Sequence, residues 1–188
     1  AQGTVAYASV GEFDHLGALI NTLHMVNPVI TTVTPPYNPC LTPPPGVCVE
    51  QGVYTATITL PLGTEGYTLA YERCCRNVSI SNVFDPSTQG AVYSAYIPPT
   101  NTYHNSSPTF NALPPLFVCV NSPLVFNYSA TDPDGDVLLY HLCTPESGGD
   151  VNAPVPNPPA PPPFPYITWQ SPYSLTNLLG GTPALAID

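Results

Sequence analysis

Hydrophobic and polar positions alternate along much of the chain with a period of two, the spacing that sends successive side chains to opposite faces of a strand. Residues 5–13 and 18–25 read as the two strands of a hairpin joined through Asp14, His15, Leu16 and Gly17, with Gly17 able to take the positive φ of a short loop. The most regular alternation lies in residues 53–60, where Tyr54, Ala56, Ile58 and Leu60 face one way and Val53, Thr55, Thr57 and Thr59 the other. In residues 67–75, Tyr67, Leu69, Tyr71, Arg73 and Cys75 share one face while Thr68, Ala70, Glu72 and Cys74 share the other, so the neighbouring cysteines are expected to point oppositely. Residues 91–97 supply a further strand, ended by Pro98 and Pro99.

Beyond a boundary expected near residue 100, strands are predicted around residues 117–120, 124–130, 137–143 and 166–169, and no segment has helical period. Residues 148–165 form a long loop in which Pro158, Pro159, Ala160, Pro161, Pro162 and Pro163 favour polyproline II. A loop of that length inside a compact domain is either functional or packed along a surface. The pattern predicts an all-β chain of two consecutive antiparallel, immunoglobulin-like β-sandwiches, residues 1–100 and 101–188. The first strand lacks an obvious partner and the chain stops in the strand-like run Ala184-Leu185-Ala186-Ile187-Asp188, so more polypeptide or another subunit is expected to complete both sheets.

Composition changes this picture in two ways. The 27 prolines would suggest low complexity, but 43% hydrophobic residues and 12 tyrosines indicate a folded protein with proline-rich loops. The net charge is -10 with only two basic side chains, which excludes electrostatic binding of nucleic acid. No apolar run approaches the roughly 20 residues that span a bilayer, and residues 1–10 lack the basic start and apolar stretch of a signal peptide.

The six cysteines, Cys40, Cys48, Cys74, Cys75, Cys119 and Cys143, form no C-x-x-C pair and no zinc spacing, which points to disulfides in an oxidising, extracellular setting. Cys119 and Cys143 end two predicted strands and are expected to bridge, closing the second sandwich. Cys40 and Cys48 flank a proline-rich turn and either close a small loop or send one member to the Cys74/Cys75 strand. For Cys74 and Cys75 a vicinal bond and a partner outside this stretch of chain both stay open.

Catalytic patterns are missing from the sequence. There is no Gly-x-Ser-x-Gly, no His-Glu-x-x-His and no phosphate-binding glycine loop, and His15, His24, His104 and His141 have no ligand spacing, so a non-enzyme is expected. Asp132, Asp134 and Asp136 alternate around Pro133 and Gly135, which suits either a loop wrapping oxygens about calcium or a polar turn between strands. Arg73 and Arg76 could hold an acidic glycan or pair internally with Glu50, Glu72 or Asp85. Trp169 suits either a sugar-stacking platform or core packing.

Three segments in order, Tyr71-Glu72-Arg73-Cys74-Cys75-Arg76-Asn77, Asn105-Ser106-Ser107-Pro108 and Ser129-Ala130-Thr131-Asp132-Pro133-Asp134-Gly135-Asp136, resemble the N-terminal region of large multidomain surface proteins of Bacteroidetes. Many of those proteins end in gliding-motility-associated or type IX secretion sorting domains. The resemblance implies export to the cell surface or an extracellular filament, an adhesive or structural role, neighbouring domains or subunits as partners, and flanking strands beyond both ends. A carbohydrate-binding module contacting surface glycans, or an accessory domain of a secreted hydrolase, is the alternative. The second unit also resembles a cadherin-type repeat, in which a linker such as Asn105-Ser106-Ser107-Pro108-Thr109-Phe110 shares calcium with the Asp132, Asp134 and Asp136 motif. Ser106 and Ser107 stand where that pattern has carboxylates.

Overall fold

The computed structural model describes residues 6–33, 49–61, 65–99, 105–115, 118 and 124–180. Among these the chain is all-β with antiparallel pairing and no helix. Its strands are β1 (Tyr7–Phe13), β2 (Leu19–Val26), β3 (Val29–Val33), β4 (Val49–Val53), β5 (Tyr67–Arg73), β6 (Ala91–Ile97), β7 (Thr109–Phe110) and β8 (Ala130–Thr131). A four-stranded sheet runs in the order β2-β1-β5-β6, and β3-β4 and β7-β8 form two-stranded ladders.

The first hairpin follows from its turn chemistry. The Asp14 carboxylate accepts the N–H groups of Leu16 (2.9 Å) and Ala18 (2.8 Å), and the Gly17 N–H donates to the Asp14 carbonyl (3.0 Å). Gly17 sits at φ 81°, open to glycine and strained for other residues. A register irregularity between Glu12 and Phe13 then aligns β1 with β2.

Residues 54–60, the most regular alternation in the sequence, are extended but outside any ladder among the described residues, since β4 ends at Val53. Alternation records which side chains face water, whereas a ladder also needs a neighbouring backbone. Residues 124–129 and 137–143 depart from expectation in the same way, and of the predicted 166–169 strand only isolated bridges form, Tyr166 to Glu146 and Trp169 to Val83.

What covers the main sheet is the proline-rich segment. Its register places Gly11 opposite Ala70 and Phe13 opposite Thr68, so Ser9, Gly11 and Phe13 share a face with Thr68, Ala70, Glu72 and, continuing past the strand, Cys74. Ser9, Phe13, Ala70, Glu72 and Cys74 are all buried. Residues 148–162 lie across this face as a strap. Its start packs on β6, where a Cβ on Gly148 would strike Val92, and it reaches β1 through a 2.9 Å hydrogen bond from Ser9 Oγ to Asn157 Oδ1. It ends over the hairpin turn, where a Cβ on Gly17 would lie 3.1 Å from the Pro162 carbonyl oxygen.

Proline suits such a strap because a covering layer without its own ladder must not bury unpaired donors. Pro158, Pro159, Pro161, Pro162 and Pro163 have no N–H to satisfy, and the one donor among them, Ala160 N–H, is accepted by Glu72 Oε1 at 2.5 Å.

The boundary expected near residue 100 is bridged by this return of the chain. Phe84 N–H donates to the Thr168 carbonyl (2.9 Å), Gln170 N–H to Asn82 (3.0 Å), and Asn82 Nδ2 to Leu178 (3.0 Å). Residues 145–178 thus belong to the layer built on residues 7–97, and the β7-β8 unit is an excursion between them.

Candidate functional site

The junction between β5 and the strap carries the densest polar chemistry. Glu72 is 3% exposed, and its two carboxylate oxygens accept different backbone donors: Oε2 takes Gly149 N–H at 2.5 Å and Oε1 takes Ala160 N–H at 2.5 Å. Charge-assisted bonds at both oxygens compensate the burial of this carboxylate. Beside it lies a cavity of about 490 Å³ lined by Glu72, Thr88, Gly149, Asp150, Pro158 and Phe164, among others.

Two residues further on, Cys74 and Cys75 are joined by a vicinal disulfide, one of the two alternatives the sequence left open. The expectation that they point to opposite faces fails because β5 stops at Arg73. Cys74 N–H leaves the ladder and donates to the Pro154 carbonyl (2.8 Å), and Arg76 N–H donates to Gln89 (3.0 Å). Arg76 Nη2 donates to the Glu146 carbonyl at 3.0 Å, again tying the 145–165 segment to the end of β5.

The expected Cys119–Cys143 bridge is corrected: Cys143 is a free, exposed thiol. That expectation assumed two regular strands with a fixed register, and residues 137–143 lie in no ladder, among the described residues, that would set one. Cys40, Cys48 and Cys119 lie outside the described residues.

The aspartate motif is placed by β7-β8. Thr109 opposite Thr131 and Phe110 opposite Ala130 set a register whose continuation brings Ser106 to Asp134, and Ser106 N–H donates to Asp134 Oδ2 at 2.5 Å. The segment containing Asn105 and the loop containing Asp132, Asp134 and Asp136 are therefore neighbours. Asp132 Oδ1 accepts the N–H groups of Asp134 (2.8 Å) and Asp136 (3.2 Å), with Gly135 at φ 83°, the bonding of a polar turn. Among the described residues, no three His, Cys, Asp or Glu side chains converge as metal ligands.

Comparisons with protein-family models, curated proteins and solved structures find no match.

The remaining candidate surface is the rim of the sheet. β2 and β6 are its outer strands, each paired on one side among the described residues. Both carry exposed apolar side chains, Leu19, Ile20 and Val26 on β2 and Tyr93 and Tyr96 on β6. Trp169 is half-buried and bridged through its backbone to Val83, while Tyr166 is exposed. Among the described residues no helix is long and apolar enough to cross a membrane.

The vicinal bridge was one of two alternatives left open by the sequence, and the surface on which the strap packs escaped sequence reasoning, yet each had a signal. A buried-face Glu beside a Cys pair and a run of prolines with a single N–H are complementary features far apart in the chain.

Proposed function

We propose that this chain is a non-catalytic structural or adhesive segment of a large secreted bacterial surface protein or extracellular filament, joined to neighbours through strand addition at its sheet edges. The observation that carries this reading is the pair of outer strands β2 and β6 with exposed apolar side chains, on a sheet whose one face is already covered by the strap. An outer strand presents unpaired backbone groups on which a neighbour's strand can be ordered with main-chain hydrogen bonds. The bacterial surface location rests on the resemblance of the Tyr71–Asn77, Asn105–Pro108 and Ser129–Asp136 segments.

Sedimentation velocity over a concentration series tests it. The wild-type chain is expected to form concentration-dependent assemblies, and Ser94→Lys with Tyr96→Lys on exposed positions of β6 is expected to abolish them, since edge lysines oppose strand addition. A monomer at every concentration, together with glycan binding lost in Trp169→Ala, would favour a carbohydrate-binding module instead.

Calcium belongs to this reading as a stiffener of the β7-β8 unit, at the loop where Ser106 meets Asp134. Thermal melting in calcium is then expected to exceed melting in chelator by several degrees, with the difference absent in Asp134→Asn. Coincident wild-type melts would leave the aspartates as a turn and remove calcium from the reading.

A further inference from the structure

The vicinal bridge sits where the strap is fastened. Cys74 is 1% exposed and Cys75 half-buried, and the Cys74 N–H holds the Pro154 carbonyl at 2.8 Å. Gly149 packs so closely that a Cβ there would lie 3.1 Å from the Cys74 nitrogen, and Gly149 N–H is bound by Glu72, two residues before the bridge. Continuing the β5-β6 register past Arg73 opposite Ala91 would place Cys74 opposite Gly90 and Cys75 opposite Gln89. As free thiols in a continued strand, adjacent cysteines would project to opposite faces. Their covalent union forbids that arrangement, ends β5 at Arg73 and leaves the Cys74 N–H for the strap.

We propose that the Cys74–Cys75 disulfide is a redox-responsive latch for the proline-rich strap, opened by a dithiol reductant. A thiolate of the dithiol attacks the sulfur of the less buried Cys75, forming a mixed disulfide and releasing Cys74 as a thiolate that takes up a proton. The second thiol of the reductant then closes on the first, releasing Cys75. The protein gains two electrons and two protons, and the dithiol leaves as its cyclic disulfide. With the bridge open, β5 can extend toward Gly90 and Gln89, the Cys74 N–H turns from Pro154, and the strap comes away from Ser9, Gly11 and Ala70.

Hydrogen exchange of the whole chain, read on peptic peptides, tests the latch. Before reduction, the peptide spanning residues 67–76 must carry the bridge. On dithiol treatment, the amides of Cys74, Gly149 and Ala160 are expected to exchange about tenfold faster or more, while the β1-β2 hairpin keeps its protection. Because the dithiol reaches every disulfide in the chain, Cys74→Ser with Cys75→Ser is the control. In that variant the three amides should exchange fast from the start and ignore the dithiol. The latch is overturned by free thiols at Cys74 and Cys75 in the untreated protein, by unchanged protection after complete reduction, by a dithiol response that persists in the double variant, or by equal loss across the hairpin. The last result would make the bridge a staple of the whole fold.

Discussion

Replacing Glu72 with alanine is expected to lower the stability of the chain by about 3 kcal/mol, because the two N–H groups it receives would both lose a charged acceptor. The Glu72 side chain is 3% exposed and Gly149 half-buried, but Ala160 is exposed, so water can replace the lost acceptor at Ala160 and the cost falls chiefly at Gly149. Loss of the side-chain volume beneath the strap adds to the cost. Glu72→Gln keeps the volume and one carbonyl oxygen but turns an amide NH₂ toward the other donor, so an intermediate loss of about 2 kcal/mol is expected. Urea unfolding measured for the three proteins gives the comparison directly. A loss below about 1 kcal/mol in Glu72→Ala, the ordinary scale of one net hydrogen bond, would mean that the strap does not rest on this carboxylate.

Gly90→Ala is expected to be comparably damaging for a steric reason. A Cβ at Gly90 would run into the Gly148 carbonyl oxygen and lie 2.8 Å from the Arg73 carbonyl oxygen. Both obstacles are backbone, one from the strap and one from β5, so relief requires the two layers to separate. The expected cost is about 3 kcal/mol or failure to fold, the upper range for overpacking at a site that cannot give. Gly135→Ala is a useful contrast: nothing lies within 4 Å of its Cβ, and only its φ of +83° opposes the change. That conformational term alone amounts to about 1–2 kcal/mol. Paired thermal melts should rank Gly90→Ala well below Gly135→Ala, and equal melting temperatures would refute the close approach of residues 90 and 148.

The parts of the fold that were readable from sequence are those whose partners lie nearby in the chain. The first hairpin is one, because Asp14 and Gly17 encode the turn that pairs its strands. β6 is another, bounded as the alternation and Pro98 indicate. The buried face of β5, with Ala70, Glu72 and Cys74, follows from period two alone. Long-range choices were not readable in this way. Residues 54–60 alternate well yet lie in no ladder among the described residues, and the 148–165 run, expected as a long loop, turned out to be the cover of a sheet formed by the first hundred residues. Proline periodicity carries no information about which surface it will lie on. At the aspartate site the turn was one of the two readings the residues allowed, but the commitment of Asp132 Oδ1 to backbone N–H groups and the bond from Ser106 to Asp134 depend on geometry that residue types only suggest.

The distance in sequence between the sheet and its cover also governs when the protein can fold. Glu72 waits 77 residues for Gly149 and 88 for Ala160, and Ser9 waits 148 for Asn157. Contacts this remote demand closure of long loops before they return any stabilisation, which places the chain among slow folders of high contact order. During synthesis Phe13, Ala70 and Glu72 are made well before the proline-rich strap that covers their face of the sheet. The inner sheet face stays uncovered until about residue 160 has been made, so the core closes late relative to the strands that form it.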